Sequence, residues 1–244
     1  MLDDMTNRTT IIKAALELAA ARGWNAIGLP DIAGRAGLTM ADLRKEFGAK
    51  TQIIDAFRRE VDYAVLAKAA TTTEGDGPRD RLFDVLMTRF EVMLPYRGAL
   101  RRIAEDLRMR PAQLAALIGP ALNTQYWMLQ AAGIGAEGLG GFPRVAGLMT
   151  IHTQVFQTWL EDEDPSMART MAALDRRLRR AEQLAERANS ICDTGMRILG
   201  AFSPRSSRGK QPSSGGGGGV DDTPPPQTPP PGPAGAPSNG GQTI

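Results

Sequence analysis

Three cations, Arg44, Lys45 and Lys50, fall within seven residues in the stretch GLTMADLRKEFGAK at positions 37–50. Cationic side chains so placed can neutralise phosphates, and an arginine can also grip a guanine edge with two hydrogen bonds. Thr39 supplies a hydroxyl able to cap a helix by accepting from a backbone N–H two or three residues on. Two acids stand among these groups. Asp42 lies in the first turn of the same helix, where the helix dipole favours a carboxylate. Glu46 lies one turn further and reads as solvent-facing, although an acid can accept from a cytosine amino group. The chemistry on offer is therefore contact with a nucleic acid, set against two negative charges.

Other reactive side chains offer less. His152 is the only histidine. It lies on an apolar helical face with no His, Cys or Asp cluster around it, so it reads as a hydrogen-bonded core or interface residue rather than a metal ligand or catalyst. Cys192 is the only cysteine. It excludes an internal disulfide, suits a reducing cytoplasm, and reads as a small buried hydrophobe. The run EDED at 161–164 precedes a helix start, where negative charge is favourable, so metal binding is the weaker reading. No glycine-rich phosphate loop and no spacing of a catalytic triad is present. Neither an enzyme nor a cofactor is expected.

The elements that must position these residues are helices. Residues 1–202 show no period-two alternation of the kind strands need. The periodicity predicts helices over 8–22, 30–36, 40–47, 50–70, 79–94, 97–109, 111–131, 142–161 and 165–200. Gly23 ends the first, Pro30 and Asp31 open the second, Thr39 caps the third, and Asp164–Pro165 reads as the start of the last. EGDG at 74–77 and GIGAEGLGG at 133–141 read as loops. Three short helices with tight connections fit a helix-turn-helix, whose second helix braces the protein on the DNA backbone and whose third enters the major groove. Ile32, Ala33 and Ala36 give helix two an inward face. Gly37 stands at the turn, where a positive φ costs glycine little. Leu38, Leu43 and Phe47 are expected to pack helix three against Leu16, Leu18 and Ile27.

The run IIKAALELAAARGWNAIGLPDIAGRAGLTMADLRKEFGAKTQIIDAF resembles the N-terminal domain of TetR-family transcriptional regulators without a gap. The resemblance implies an all-α, TetR-like protein: a helix-turn-helix DNA-binding domain over 1–57, and a helical ligand-binding and dimerisation domain over 58–202. It makes Thr39 a cap that also touches a phosphate, turns Met40, Ala41 and Arg44 to the groove, and brings Lys50 to the DNA backbone. Lys45 joins this set as a further cation. The family more often has an aromatic where Arg44 stands and a neutral residue where Glu46 stands. The implied partner is double-stranded DNA carrying a near-palindromic operator.

In the C-terminal part, Val145, Leu148, Met149, His152, Val155, Phe156 and Trp159 form one stripe. Leu114, Leu117, Ile118, Leu122 and Leu129 form another, with Tyr126 and Trp127 near its end. Such stripes are first of all core. TetR-like proteins commonly dimerise through their late helices, which suggests Val145, Met149, His152 and Trp159 as dimer contacts; Ile118 is given no such role. Met87, Met93, Tyr96, Trp127, Met128 and Phe156 are the adaptable and aromatic groups expected to line a cavity for an apolar small molecule or lipid. RFEVMLPY at 89–96 and DEDPSMARTMAALDRRL at 162–178 also resemble the TetR-fold lipid-binding family of ubiquinone biosynthesis. That second resemblance implies an isoprenoid-binding accessory protein that does not bind DNA and that uses an amphipathic last helix at membranes. The matching stripe here, within 181–199, lacks Trp, Phe and a dense basic face, so packing is the stronger reading.

The chain's 244 residues can bury a real core, and its net charge of +2 gives no wholesale attraction to polyanions. Residues 1–62 hold nine Lys or Arg and nine Asp or Glu, so nucleic-acid contact must rest on a local patch. No secretory signal and no apolar run long enough to span a membrane is read, and a cytoplasmic location is expected. From Ser203 onward about half the residues are Gly or Pro. This 203–244 segment reads as a disordered tail, with a ligand for a proline-binding module as the alternative.

Overall fold

The structure, a computed structural model, describes residues 6–69, 77–138 and 140–201, and side chains as far as 187 apart from residue 186. The expected tail, most of the EGDG loop, and Ile191, Cys192, Ile198 and Leu199 of the last helix's stripe lie outside the described residues or side chains. Within them the chain is helical: α1 (Asn7–Arg22), α2 (Leu29–Ala36), α3 (Met40–Glu46), α4 (Lys50–Ala69), α5 (Pro78–Met93), a 3-10 turn (Leu94–Tyr96), α6 (Arg97–Arg108), α7 (Pro111–Ala131), α8 (Gly141–Glu161) and α9 (Ala168–Ala201).

Local chemistry sets most of these ends. Thr6 caps α1 by accepting from the Thr9 N–H at 3.2 Å, and Gly23 stops it with φ +83°. The Gly28 N–H opening α2 donates to Asp31 at 2.7 Å, with Pro30 in the first turn, where a missing N–H leaves no bond unmade. Gly37 takes φ +68° to turn the chain from α2 into α3. Pro78 and Pro111 begin α5 and α7.

The last helix departs from the sequence expectation. It begins at Ala168, not Pro165, because residues 164–167 form a turn first. Met167 adopts φ +53° with its side chain buried, and Asp162 does the capping from further back. Its carboxylate accepts from the Thr170 N–H at 2.9 Å and hydroxyl at 2.7 Å. The Asp of EDED that matters is thus a buried helix cap.

The first three helices close over Ile11, Ile12, Leu16, Ile32, Leu43 and Phe47, all buried. The core continues without a break into Phe57, Val61, Leu86, Phe90, Met128, Val155 and Trp159, so residues up to Leu199 group as one compact unit. The boundary expected after residue 57 falls inside α4, a single helix shared by both parts. α1 packs on α6, and α4 packs on α5 and α7.

Candidate nucleic-acid interface and cavity

α3 is held from beneath by Leu43 and Phe47, which leaves its other face to solvent. Thr39 caps it, its hydroxyl oxygen accepting from the Asp42 N–H at 3.1 Å while the hydroxyl donates to the Asp42 carboxylate at 2.6 Å. Lys45 donates to the other oxygen of that carboxylate at 3.0 Å. The Thr39 hydroxyl, then Lys45, hold the Asp42 carboxyl below its usual range. Glu46 is turned back toward Arg8, 3.9 Å away, and the Arg8 guanidinium lies over the Phe47 ring at 4.8 Å. Each acid in this helix is therefore answered by a cation. Arg44 is exposed and, among the described residues, has no ion pair. Met40, 45 % exposed, and Ala41 stand beside it on the open face. Thr39, Met40, Ala41, Arg44 and Lys45 thus share one accessible surface.

Lys50 does not join that surface. Its ammonium donates to the carbonyls of Trp24 and, at 2.6 Å, Ile27, and lies 4.2 Å from the centre of the Trp24 ring. Burial lowers its pKa, with Asp106 pulling the other way. The expectation that Lys50 reaches the DNA backbone is corrected accordingly: its charge is engaged in pinning the α1–α2 connection to the start of α4. The acceptors are backbone carbonyls more than twenty residues upstream, which no local pattern reveals.

A second site lies among α4, α5, α7 and α8. It is a cavity of about 180 Å³ whose apolar wall includes Met93, Leu117, Met149 and Phe156. Its polar side is built on Asp62, 6 % exposed, which accepts from Arg89 of α5, from Arg58 at 2.6 Å and from the Thr124 hydroxyl of α7 at 2.8 Å. Arg58 also pairs with Asp55 at 2.8 Å and donates to Thr124. Asp55, Arg58, Arg89, Thr124, Gln125 and His152 all line the space. His152 stacks between Phe90 and Phe156, at 5.5 and 6.0 Å between ring centres.

Of the expected ligand-contacting residues, Met93 and Phe156 line this cavity. Met87 and Met128 are buried in the core elsewhere, Trp127 is half exposed, and Tyr96 packs edge-on against Phe57 with ring centres 5.1 Å apart. Of the expected dimer contacts, Val145 and Trp159 are buried within the protomer itself, while Met149 and His152 are partly exposed and line the cavity. The sequence reading missed Asp62, Arg58, Arg89 and Gln125. The available signal was charge on buried helical stripes: Asp62 beside Val61 and Val65, and Arg89 beside Leu86, Phe90 and Met93.

Burial, and after it the Arg89 charge, depresses the His152 pKa from 6.5 to about 3. Between those values the unfolded chain holds the extra proton, so stability falls as pH drops below about 6.5. The cost at pH 5 relative to pH 7 is expected to be about 2 kcal/mol. This is the only histidine, so urea unfolding of His152→Phe at the two pH values should lack that part of the dependence. An unchanged dependence would remove His152 from the account.

Comparison with known proteins places this geometry. Residues 11–57 match the family model described as bacterial regulatory proteins, tetR family. A TetR transcriptional regulator from Nitrosomonas europaea ATCC 19718 is 27 % identical over 72 % of this chain and 98 % of its own, with a TM-score of 0.57. A TetR transcriptional regulator from Rhodococcus sp. RHA1 shares the fold at 18 % identity, over 70 % of this chain and 93 % of its own, with a TM-score of 0.54. A tetR-family transcriptional regulator from Streptomyces coelicolor does so at 14 % identity, over 82 % and 93 %, with a TM-score of 0.52. No curated protein matches. Among the described residues no helix is long and apolar enough to cross a membrane. With the matched helix-turn-helix over residues 11–57, the all-helical body behind it and the open face of α3, the chain carries a tetR-type N-terminal domain and is similar in fold to TetR transcriptional regulators.

Proposed function

We propose that this regulator acts in the cytoplasm as a homodimer, reads two half-sites of a near-palindromic operator, and responds to a small molecule held among α4, α5, α7 and α8. The observation that carries the reading is the open face of α3. Arg44 is its free cation, while Asp42 and Glu46 are occupied by Lys45 and Arg8. Two-fold symmetry of the protein then matches two-fold symmetry of the operator. The dimer uses surface other than Val145 and Trp159, which are already covered. The effector acts by favouring one spacing of the two α3 helices over the other.

Titration of the protein onto DNA from its own promoter region, at 50 and 200 mM salt, tests this. Sequence-specific binding is expected. Its salt dependence should be shallower than a strongly basic reader shows, since few free cations face the groove. Arg44→Ala is expected to weaken specific binding by about 1–3 kcal/mol per half-site. Unchanged affinity would take Arg44 out of the reader. Absence of DNA binding even at low salt, with isoprenoid lipid co-purifying, would favour the lipid-carrier reading instead. The cavity volume of about 180 Å³ speaks against that reading, because sites for drug-sized molecules begin near 300 Å³.

A further inference from the structure

A groove of about 660 Å³ runs along the first part of α9, beside the end of α8. Arg169, Arg176, Arg177 and Arg180 line it, with Ala172 and Ala173 between them and Thr158 on the α8 side. Among the described residues no carboxylate lines the groove, and none of the four arginines has an ion pair. The nearby acids are engaged elsewhere: Asp162 is buried as the cap of α9, Asp175 pairs with Arg179 at 2.9 Å, and Glu182 lies 3.9 Å from Arg79. Arg177 donates to Gln154, which ties its guanidinium to α8, and the other three arginines are exposed. Arg176 and Arg180 stand one helical turn apart, a like-charge spacing that weakens a helix unless an anion answers it.

We propose that this groove binds a small molecule carrying two or more linked phosphate groups. The proposal goes beyond the operator-binding reading and does not rest on it. Phosphate is the matching chemistry because each guanidinium presents a planar fork of donors that fits two phosphate oxygens. Linked phosphates follow from the charge: one phosphate carries about two negative charges, too few for the arginines that wait here. The spread agrees, since Arg169 and Arg180 are eleven residues apart, about 16 Å of helix. The volume suits a small molecule, within the roughly 300–1,000 Å³ usual for ligand sites. A second copy is the poorer occupant, because a two-fold contact here would set these arginines against their own equivalents.

Calorimetric titration of the full chain, without DNA and in about 150 mM salt to screen diffuse attraction, tests the proposal with tripolyphosphate, ATP, orthophosphate and citrate. Tripolyphosphate and ATP are expected to bind at least tenfold more tightly than orthophosphate or citrate, since one charge-assisted hydrogen bond is worth roughly that factor. ATP exceeding tripolyphosphate marks a nucleotide as the source, and equal affinity marks the phosphate chain alone; either result upholds the site. The double variant Arg176→Gln, Arg180→Gln is expected to lose roughly tenfold or more in affinity. Arg179→Gln, outside the groove and already paired, and Arg44→Ala on α3 should leave it unchanged. Arg169→Gln reports independently if the double variant fails to fold. No binding of tripolyphosphate, equal affinity for orthophosphate or citrate, or an equal loss in Arg179→Gln overturns the proposal. So does a double variant that loses promoter DNA and keeps tripolyphosphate, which would make the groove a nucleic-acid contact. Phosphate-chain binding in a protein that ignores promoter DNA would uphold the groove and sink the regulator, so the two failures are separable.

Discussion

Asp62→Ala is expected to destabilise the protein by about 3–5 kcal/mol, the cost of removing one partner from a buried ion network. The loss is large because Asp62 is the common acceptor for Arg58, Arg89 and Thr124, and so ties α4 to α5 and α7. Without it two guanidinium groups face each other across a buried gap, with only the Asp55 carboxylate nearby. Against a typical stability of 5–15 kcal/mol, this leaves little or none in reserve. Urea unfolding followed by far-UV dichroism measures it. A loss below about 1 kcal/mol would mean that the network is solvated and the cavity wall softer than its geometry suggests.

Trp24→Ala ranks beside it, with an expected cost of about 3–5 kcal/mol. Trp24 is 1 % exposed and shares a crevice with Ile12 and Leu16 of α1, Ile53 and Phe57 of α4, and Leu100 and Ile103 of α6. Its ring also carries the Lys50 ammonium. Next to it, the Asn25 N–H donates to Asp106 of α6 at 2.8 Å. Truncation empties the joint where the helix-turn-helix meets the rest of the chain. Operator binding should therefore fail at lower temperature than far-UV helicity does, and following both signals along one melting ramp would show it. Coincident transitions would mean that the joint has no independence from the core.

Much of the fold was legible because helix ends are local events. Gly23, Thr39, Pro78 and Pro111 each fix a boundary through chemistry contained within a few residues, and those boundaries came out within one or two positions. The start of α9 was not legible. Its turn requires a positive φ at Met167, a residue with no preference for that conformation, and its cap comes from Asp162, eight residues before Thr170. The reading face of α3 could be placed from spacing, but the fate of its charges could not. Lys50 finds acceptors 23 and 26 residues away, and Glu46 finds Arg8 across a helix packing. The cavity was the least legible part. Sequence suggested methionines and aromatics, and two of the six reached it; its polar side depends on Asp62 meeting Arg89 and Thr124, 27 and 62 positions on.

One helix holds both ends of the molecule's business. Lys50 in the first turn of α4 grips the connection behind the reader, and Arg58 on the same helix forms part of the cavity wall. Eight residues of α-helix separate them, about 12 Å of stiff rod. If the proposed effector displaces Arg58, the stiff helix would pass that displacement to Lys50, and a proline set between the two residues is expected to uncouple them.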